Sequence, residues 1–244
     1  MPGGAGGPPP FTVADYRART AGLKVVGGVV VADPAQGSDP APLLAAAREL
    51  GPRFVVVAQA RPEMEDAEMA ALAARGVRGL RYSLFPGPWR DANRAAAHAE
   101  RAAAHGLHAE FHADGTALVP AVMALARLPA LVIDQLGMSD YGLPVVRDLA
   151  VAGARIKASG FGRATLDVAA ALESIAHLAP RALMVGTDLP SAGARRPFEA
   201  ADLALVQRVL GSELARAALH DTATAFYRAG DRAQLGIPSG SIAG

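Results

Sequence analysis

The chain has 244 residues, 51% hydrophobic and 19% charged, enough for one α/β barrel or two small domains with a large buried core. Its 24 basic residues are scattered against 23 acidic ones and only 5% of residues are aromatic, which argues against a nucleic-acid or acidic-membrane surface. There is no cysteine, so disulfides, thiolate metal sites and a Cys nucleophile are excluded, and a reducing cytoplasm is the expected compartment.

Residues 1–10 (MPGGAGGPPP) carry neither the basic nor the apolar region of a signal peptide and read as a flexible tail. No stretch of about 18 apolar residues runs unbroken, so no membrane span is expected. A short helix is expected over 12–22. Strands then follow at 24–32, 53–58, 77–84, 107–113, 130–136, 155–159 and 181–187. Ala-rich stretches of helical period fall between them at 40–50, 63–75, 91–105, 116–127, 143–152, 166–178 and 198–209, and a last helix is expected over 212–228. A second tail is expected at 231–244, leaving one barrel domain over 11–230.

Strands apolar on both faces, separated by helices of 10–15 residues, indicate a parallel sheet covered by helices. The repeat of about 25 residues is close to the βα unit of a TIM barrel. No G-x-G-x-x-G follows the first strand, so a dinucleotide fold has no local support. Seven strands are recognisable where a closed barrel of this type has eight. The order helix-then-strand at the start points to a missing first strand, either cut from the sequence as given or truly absent; if the sequence is complete, the barrel must close with seven, leave a gap or borrow a strand. A gap would expose a sheet edge, which a second copy or the tail is expected to cover.

Barrel strands alternate between the interior and the helix layer, and chemistry collects at their C-terminal ends. Counting back from those ends puts Arg81 and Ser83 on one face, then Glu110 with His112, Ile133 with Gln135, Lys157 with Ser159, and Met184 with Gly186 and Asp188. Charges in such an interior must pair, so Arg81 and Lys157 are expected to meet Glu110 and Asp188. Glu110 and Lys157 read equally well as a structural ion pair. His98, His105, His177 and His220 lie in or at the ends of helices and read as solvent-facing or as partners of the helix dipole. His108 begins a strand, away from the chemical end. The loop FPGPWRD (85–91), with Trp89 and Arg90, reads as a lid able to clamp a carboxylate. Arg163, Arg195 and Arg196 lie beyond other strand ends, and arginines on these loops favour an anionic ligand.

The pieces RGVRGLRYSLF (75–85), HGLHAEFHADG (105–115), LVIDQLGMSD (131–140), IKASGFGR (156–163) and ALMVGTDLP (182–190) occur in this order, and together they resemble the amidohydrolase-related TIM barrels that include 2-pyrone-4,6-dicarboxylate lactonase and related decarboxylases. The resemblance covers roughly residues 11–228. It implies Asp188 as the general base that activates water, His112 as the group that polarises a carbonyl or binds metal, Arg81 as a substrate contact and Arg163 as a carboxylate holder. Ser83, Gln135, Ser159 and Arg90 join Arg163 as expected substrate contacts. The sequence departs from the family in lacking a first-strand His-x-His and in carrying Gln135 where the family has His. With only His112 and Asp188 left as donors, no cofactor is expected beyond at most a weakly held divalent ion. The reading is a metal-independent, lactonase-like hydrolase of a small anionic or carboxylated molecule, with no nucleic acid or membrane as partner and a homodimer as the oligomer to test. The alternatives are a degenerate, non-catalytic ligand-binding barrel or partner subunit, and a metal-dependent decarboxylase of the same superfamily.

Overall fold

The computed structural model describes residues 11–84 and 87–227; both expected tails lie outside them. Seven parallel strands form one sheet in chain order: β1 (Gly28–Val31), β2 (Phe54–Gln59), β3 (Val77–Ser83), β4 (His108–His112), β5 (Leu131–Ile133), β6 (Arg155–Ala158) and β7 (Leu183–Val185). The helices are α1 (Val13–Arg19), α2 (Ala41–Leu50), α3 (Asp66–Ala74), α4 (Ala92–Ala104), α5 (Val122–Leu125), α6 (Leu143–Val151), α7 (Val168–Leu178), α8 (Ala200–Arg216) and α9 (Thr222–Tyr227). Each strand pairs with its predecessor, so β1 and β7 are the two edges. Val55 from β2, Val132 from β5 and Met184 from β7 nevertheless share one buried cluster with Tyr227. Strands so far apart in sheet order meet only if the sheet curls, which makes this an incomplete (β/α) barrel.

The alternation of the strands sets the two faces. Tyr82 and Phe111, neighbours in register on β3 and β4, point to the helix layer and stack with centroids 5.0 Å apart. Their sequence neighbours Arg81 and Glu110 point inward. On β5 the expected face is reversed. Ile133 packs in the helix-layer core, while Val132 and Asp134 face the interior. The count backward from Gln135 failed because Gln135 has left the strand: from Gln135 to Met138 every residue has positive φ. Period two cannot be carried through such a turn.

Two helical expectations also change. Residues 116–127 do not form one α-helix but a 3₁₀ segment, Gly115–Ala121, followed by the four-residue α5. Pro120 lies inside, where it offers no N–H to an α-helical ladder. The expected break between 209 and 212 is a kink at Gly211 (φ +69°) within α8, and a single π-helical turn at Ala217–Asp221 then leads into α9.

This last segment packs against β7. Its Tyr227 hydroxyl enters the interior and donates to Glu110 Oε1 at 2.7 Å, while Phe226 and Tyr227 contact the His108 ring edge-on. Gly79 makes this possible, since a Cβ there would come within 2.4 Å of the His108 ring. Replacing Tyr227 by Phe keeps the apolar packing and removes one donor to a buried carboxylate. The expected cost is about 1.5–3 kcal/mol, read as a lower urea midpoint with unchanged m-value; an unchanged midpoint would show that Glu110 does not need this hydroxyl.

Candidate functional site

The barrel interior is built around charges that must neutralise one another. Glu110 on β4 is fully buried, and besides Tyr227 it accepts from Lys157 Nζ at 2.5 Å and lies 3.1 Å from His108 Nε2. Burial alone would raise its carboxyl. The Lys157 charge and then the His108 contact overcome that and hold it well below the ordinary range. Lys157 also lies 3.1 Å from Asp134 Oδ1, while Arg81 Nε donates to Asp134 Oδ2 at 3.1 Å. The Lys157 ammonium is pulled down by burial and lifted above its ordinary value by Asp134 and Glu110. The second end of the Arg81 fork donates to the Ala32 carbonyl at the end of β1, at 3.0 Å. A chain of charged contacts therefore runs from the C-terminal helix through β4, β6 and β5 to β3 and β1.

The expected partners were partly wrong. Lys157 does meet Glu110, but Arg81 meets neither Glu110 nor Asp188. Asp134, absent from the sequence-derived site, lies between the two cations. Its signal was present in the sequence: an acid one residue past an apolar run, hidden by the assumption that Gln135 continued the strand.

The strand ends form the upper layer. His112 closes β4, and its Nδ1 is buried without a partner among the described residues. Burial, and after it the Arg81 charge, push its pKa down to about 4, against a smaller upward pull from Asp134. Arg163 adds to the downward push and a contact with Gln135 opposes it. Asp188 follows β7 with φ +53°, and its turn is pinned by Ser191, whose N–H and hydroxyl both donate to the Asp188 carbonyl. Its two carboxylate oxygens are separately engaged. Oδ1 accepts from Gln135 Nε2 at 3.1 Å, and Oδ2 from Arg163 Nη2 and Nε at 3.2 and 3.4 Å. Gln135 and Asp188, bonded to each other, are thus both non-glycine residues in the left-handed region, which concentrates at functional sites.

Other expected contacts fall at different depths. Ser83 is buried beside the upper layer and donates to Gln59 Oε1 at 3.3 Å; Gln59, at the end of β2, was not foreseen. Ser159 is buried at the end of β6 and lines a narrow space with Gly186 and Thr187, next to Asp188. The lid expectation for Trp89 does not hold. Trp89 is 3% exposed, donates through its indole N–H to the Ala60 carbonyl, and packs on Tyr82 and His98. It anchors the loop, of which Phe85 and Pro86 lie outside the described residues, while Pro88, Arg90 and Asp91 are exposed. His98 is likewise no surface residue, being 5% exposed with Nδ1 3.0 Å from the Tyr82 hydroxyl. Of the loop arginines, Arg196 is held by Asp202 at 2.6 and 3.0 Å and Arg195 by the Ala164 carbonyl, so neither is directed at the site.

The amidohydrolase family model matches residues 1–229. No curated protein matches the chain. Among solved structures, a protein of Agrobacterium tumefaciens is 26% identical with a TM-score of 0.75, covering 93% of this chain and 90% of its own. A candidate 2-pyrone-4,6-dicarboxylic acid hydrolase from Pseudomonas putida is 25% identical with a TM-score of 0.72, over 88% and 86%. A probable 2-pyrone-4,6-dicarboxylic acid hydrolase from Acinetobacter baumannii, with citric acid bound, shares the fold at 19% identity, with a TM-score of 0.74 over 93% of both chains. A family match that runs through every strand described above, on a barrel that these structures repeat over most of their length, fixes the lineage: the chain belongs to the amidohydrolase family.

Proposed function

We propose that the chain is a lactonase-type hydrolase of a small carboxylated substrate, with Asp188 as general base. The observation that carries this reading is the grouping at the strand ends of a partly exposed carboxylate (Asp188), a neutral imidazole (His112) and a guanidinium (Arg81) held by Asp134. Water placed against Asp188 loses a proton to it while its oxygen adds to the lactone carbonyl. The ring C–O bond then breaks and the leaving oxygen takes the proton from Asp188, so lactone and water become an open hydroxy acid. Arg81 and the single N–H of neutral His112 stabilise the oxyanion on the way. Arg163 receives a substrate carboxylate, with Ser83, Gln135, Ser159 and Arg90 around it. The names borne by two of the similar structures, and the citric acid bound in one, support a polycarboxylate as the first substrate class to test.

A divalent metal does not fit this donor set. Arg81 and Arg163 both bring positive charge to His112, and Asp188 is paired with the Arg163 guanidinium and bonded to Gln135. Among the described residues, no group of three His, Asp or Glu side chains is placed to share an ion. No helix among the described residues is long and apolar enough to cross a membrane. The competing reading, a ligand-binding barrel without turnover, draws on the same engagement of Asp188.

Asp188→Asn keeps the shape and removes the base. Hydrolysis of a panel of carboxylated lactones is expected to fall about 10²–10⁴-fold in kcat, measured by ring-opening absorbance; undiminished turnover would end the assignment. His112 also sets a pH dependence of stability. Its pKa falls from 6.5 to about 4 on folding, so between those values the unfolded chain binds a proton that the folded chain does not. The stability it contributes is complete above pH 6.5 and is lost as pH falls toward 4, on the order of 2–3 kcal/mol. Urea midpoints between pH 7 and 4.5 are expected to show this slope, and His112→Gln to flatten it to the part left by buried His98, which shifts in the same direction.

A further inference from the structure

We infer that Arg163 is a carboxylate-operated gate on Asp188: a substrate carboxylate draws the guanidinium away and so releases the oxygen that activates water. What the released oxygen then does rests on the hydrolase reading above. The exchange itself rests on geometry.

In the free chain both Asp188 oxygens are engaged: Oδ1 accepts once, from Gln135, while Oδ2 accepts twice, from the Arg163 guanidinium, which is the charged partner and fills that oxygen's two lone-pair sites. The two contacts differ in kind. Gln135 is 2% exposed and neutral, and no anion competes for it by charge. Arg163 is a cation whose side chain is 28% exposed, against 20% for Asp188. Its N···O distances of 3.2 and 3.4 Å are long for a charged pair, which ordinarily closes to about 2.7–2.9 Å.

The other ion pairs of the barrel are built differently. Glu110, Asp134, Lys157 and Arg81 are 0–13% exposed and approach to 2.5–3.1 Å. Breaking one of those would leave a charge unpaired in the interior. Among the described ion pairs of the barrel interior, Arg163–Asp188 is the longest and the most exposed. Arg195 and Arg196 cannot take the same part, because the Ala164 carbonyl and Asp202 hold them. The Arg163 backbone is fixed by its N–H to the Gly160 carbonyl at 2.8 Å, so only the side chain has to turn.

A carboxylate entering from solvent offers the guanidinium two oxygens in place of one. One ion pair replaces another and no covalent bond changes. Oδ2 becomes free to accept from water, while Gln135 keeps hold of Oδ1 and with it the orientation of the group. Arg163 therefore ties the presence of a substrate carboxylate to activation of the base, and discrimination appears in kcat as well as in KM.

The test compares a lactone carrying a ring carboxylate with the same lactone as its neutral primary amide, in the parent chain and in Arg163→Met. The parent is expected to turn over the carboxylate with a kcat at least about 100-fold higher. Arg163→Met is expected to lower kcat/KM for the carboxylate by a similar factor and to raise kcat for the amide several-fold, because the base is no longer covered. If the amide gains nothing and the carboxylate loses only in KM, Arg163 is a binding residue and the gate is wrong. A second measurement needs no turnover and no variant of Arg163: the ¹³C carboxyl signal of Asp188, assigned by its loss in Asp188→Asn, is followed as glutarate is added. A signal that moves to saturation supports the exchange, even if no lactone is hydrolysed, in which case only the hydrolase reading falls. A signal that glutarate leaves in place overturns the gate, whatever the chain hydrolyses.

Discussion

The lysine ammonium between Glu110 and Asp134 is the interaction on which the rest of this structure depends. A carboxylate with no solvent exposure survives in a barrel interior only if a cation and hydrogen-bond donors reach it. Lys157 supplies the cation from β6, His108 a contact from the start of its own strand, and Tyr227 a hydroxyl from the far end of the chain. Lys157 then has a second acid beside it, Asp134, and Asp134 in turn holds Arg81. Each charge is explained by the next. The position of Arg81 is thus set by Asp134 and, through it, by Lys157.

This arrangement divides the barrel into layers of different firmness. Below, short contacts and near-complete burial lock Glu110, Lys157 and Asp134 together. Above, Asp188 and Arg163 are 20% and 28% exposed, against at most 13% below, and meet at longer range. His112, at the end of β4 in the upper layer, is buried enough to stay neutral and close enough to Arg81 to feel its charge. A rigid base under an exchangeable top is what a site needs if it is to bind an anion without rebuilding its core. Three carboxylates (Glu110, Asp134, Asp188) match three cations (Arg81, Lys157, Arg163), and of the three acids Asp188 is the most exposed.

Much of this was legible from residue order, and the misreadings have physical causes. All seven strands were visible because parallel strands buried on both faces are continuous apolar runs, and Arg81, Glu110, His112, Lys157 and Asp188 were placed inward by alternation alone. Alternation failed at β5, where left-handed φ from Gln135 onward turns the chain out of the strand; Asp134 was therefore missed, and Arg81 was given the wrong partner. Trp89 and His98 were misread for another reason. Both lie in segments whose composition looks exposed, yet they bury against each other and Tyr82 outside the sheet, a contact with no sequence period to announce it. Tyr227 is the same case at longer range: nothing near it in sequence hints at a carboxylate 117 positions away.

The edge between β1 and β7 gives Tyr227 its wider significance. Among the described residues the curled sheet ends at β1 and β7, and water entering between these edges would weaken every ion pair inside. The turn at Ala217–Asp221 carries α9 against β7, and Tyr227 joins Val55, Val132 and Met184 in the buried cluster that adjoins the charges. A helix cannot supply the hydrogen bonds that a strand would give to β7. It does supply apolar bulk and one well-placed hydroxyl, and those are what Glu110 requires. Closure of the interior and closure of the sheet are separate problems, and this chain meets the first with side chains while β1 keeps a half-buried edge. The arrangement at the strand ends depends on the former, because burial of the interior keeps Lys157 on Glu110 and Asp134, and Asp134 on Arg81.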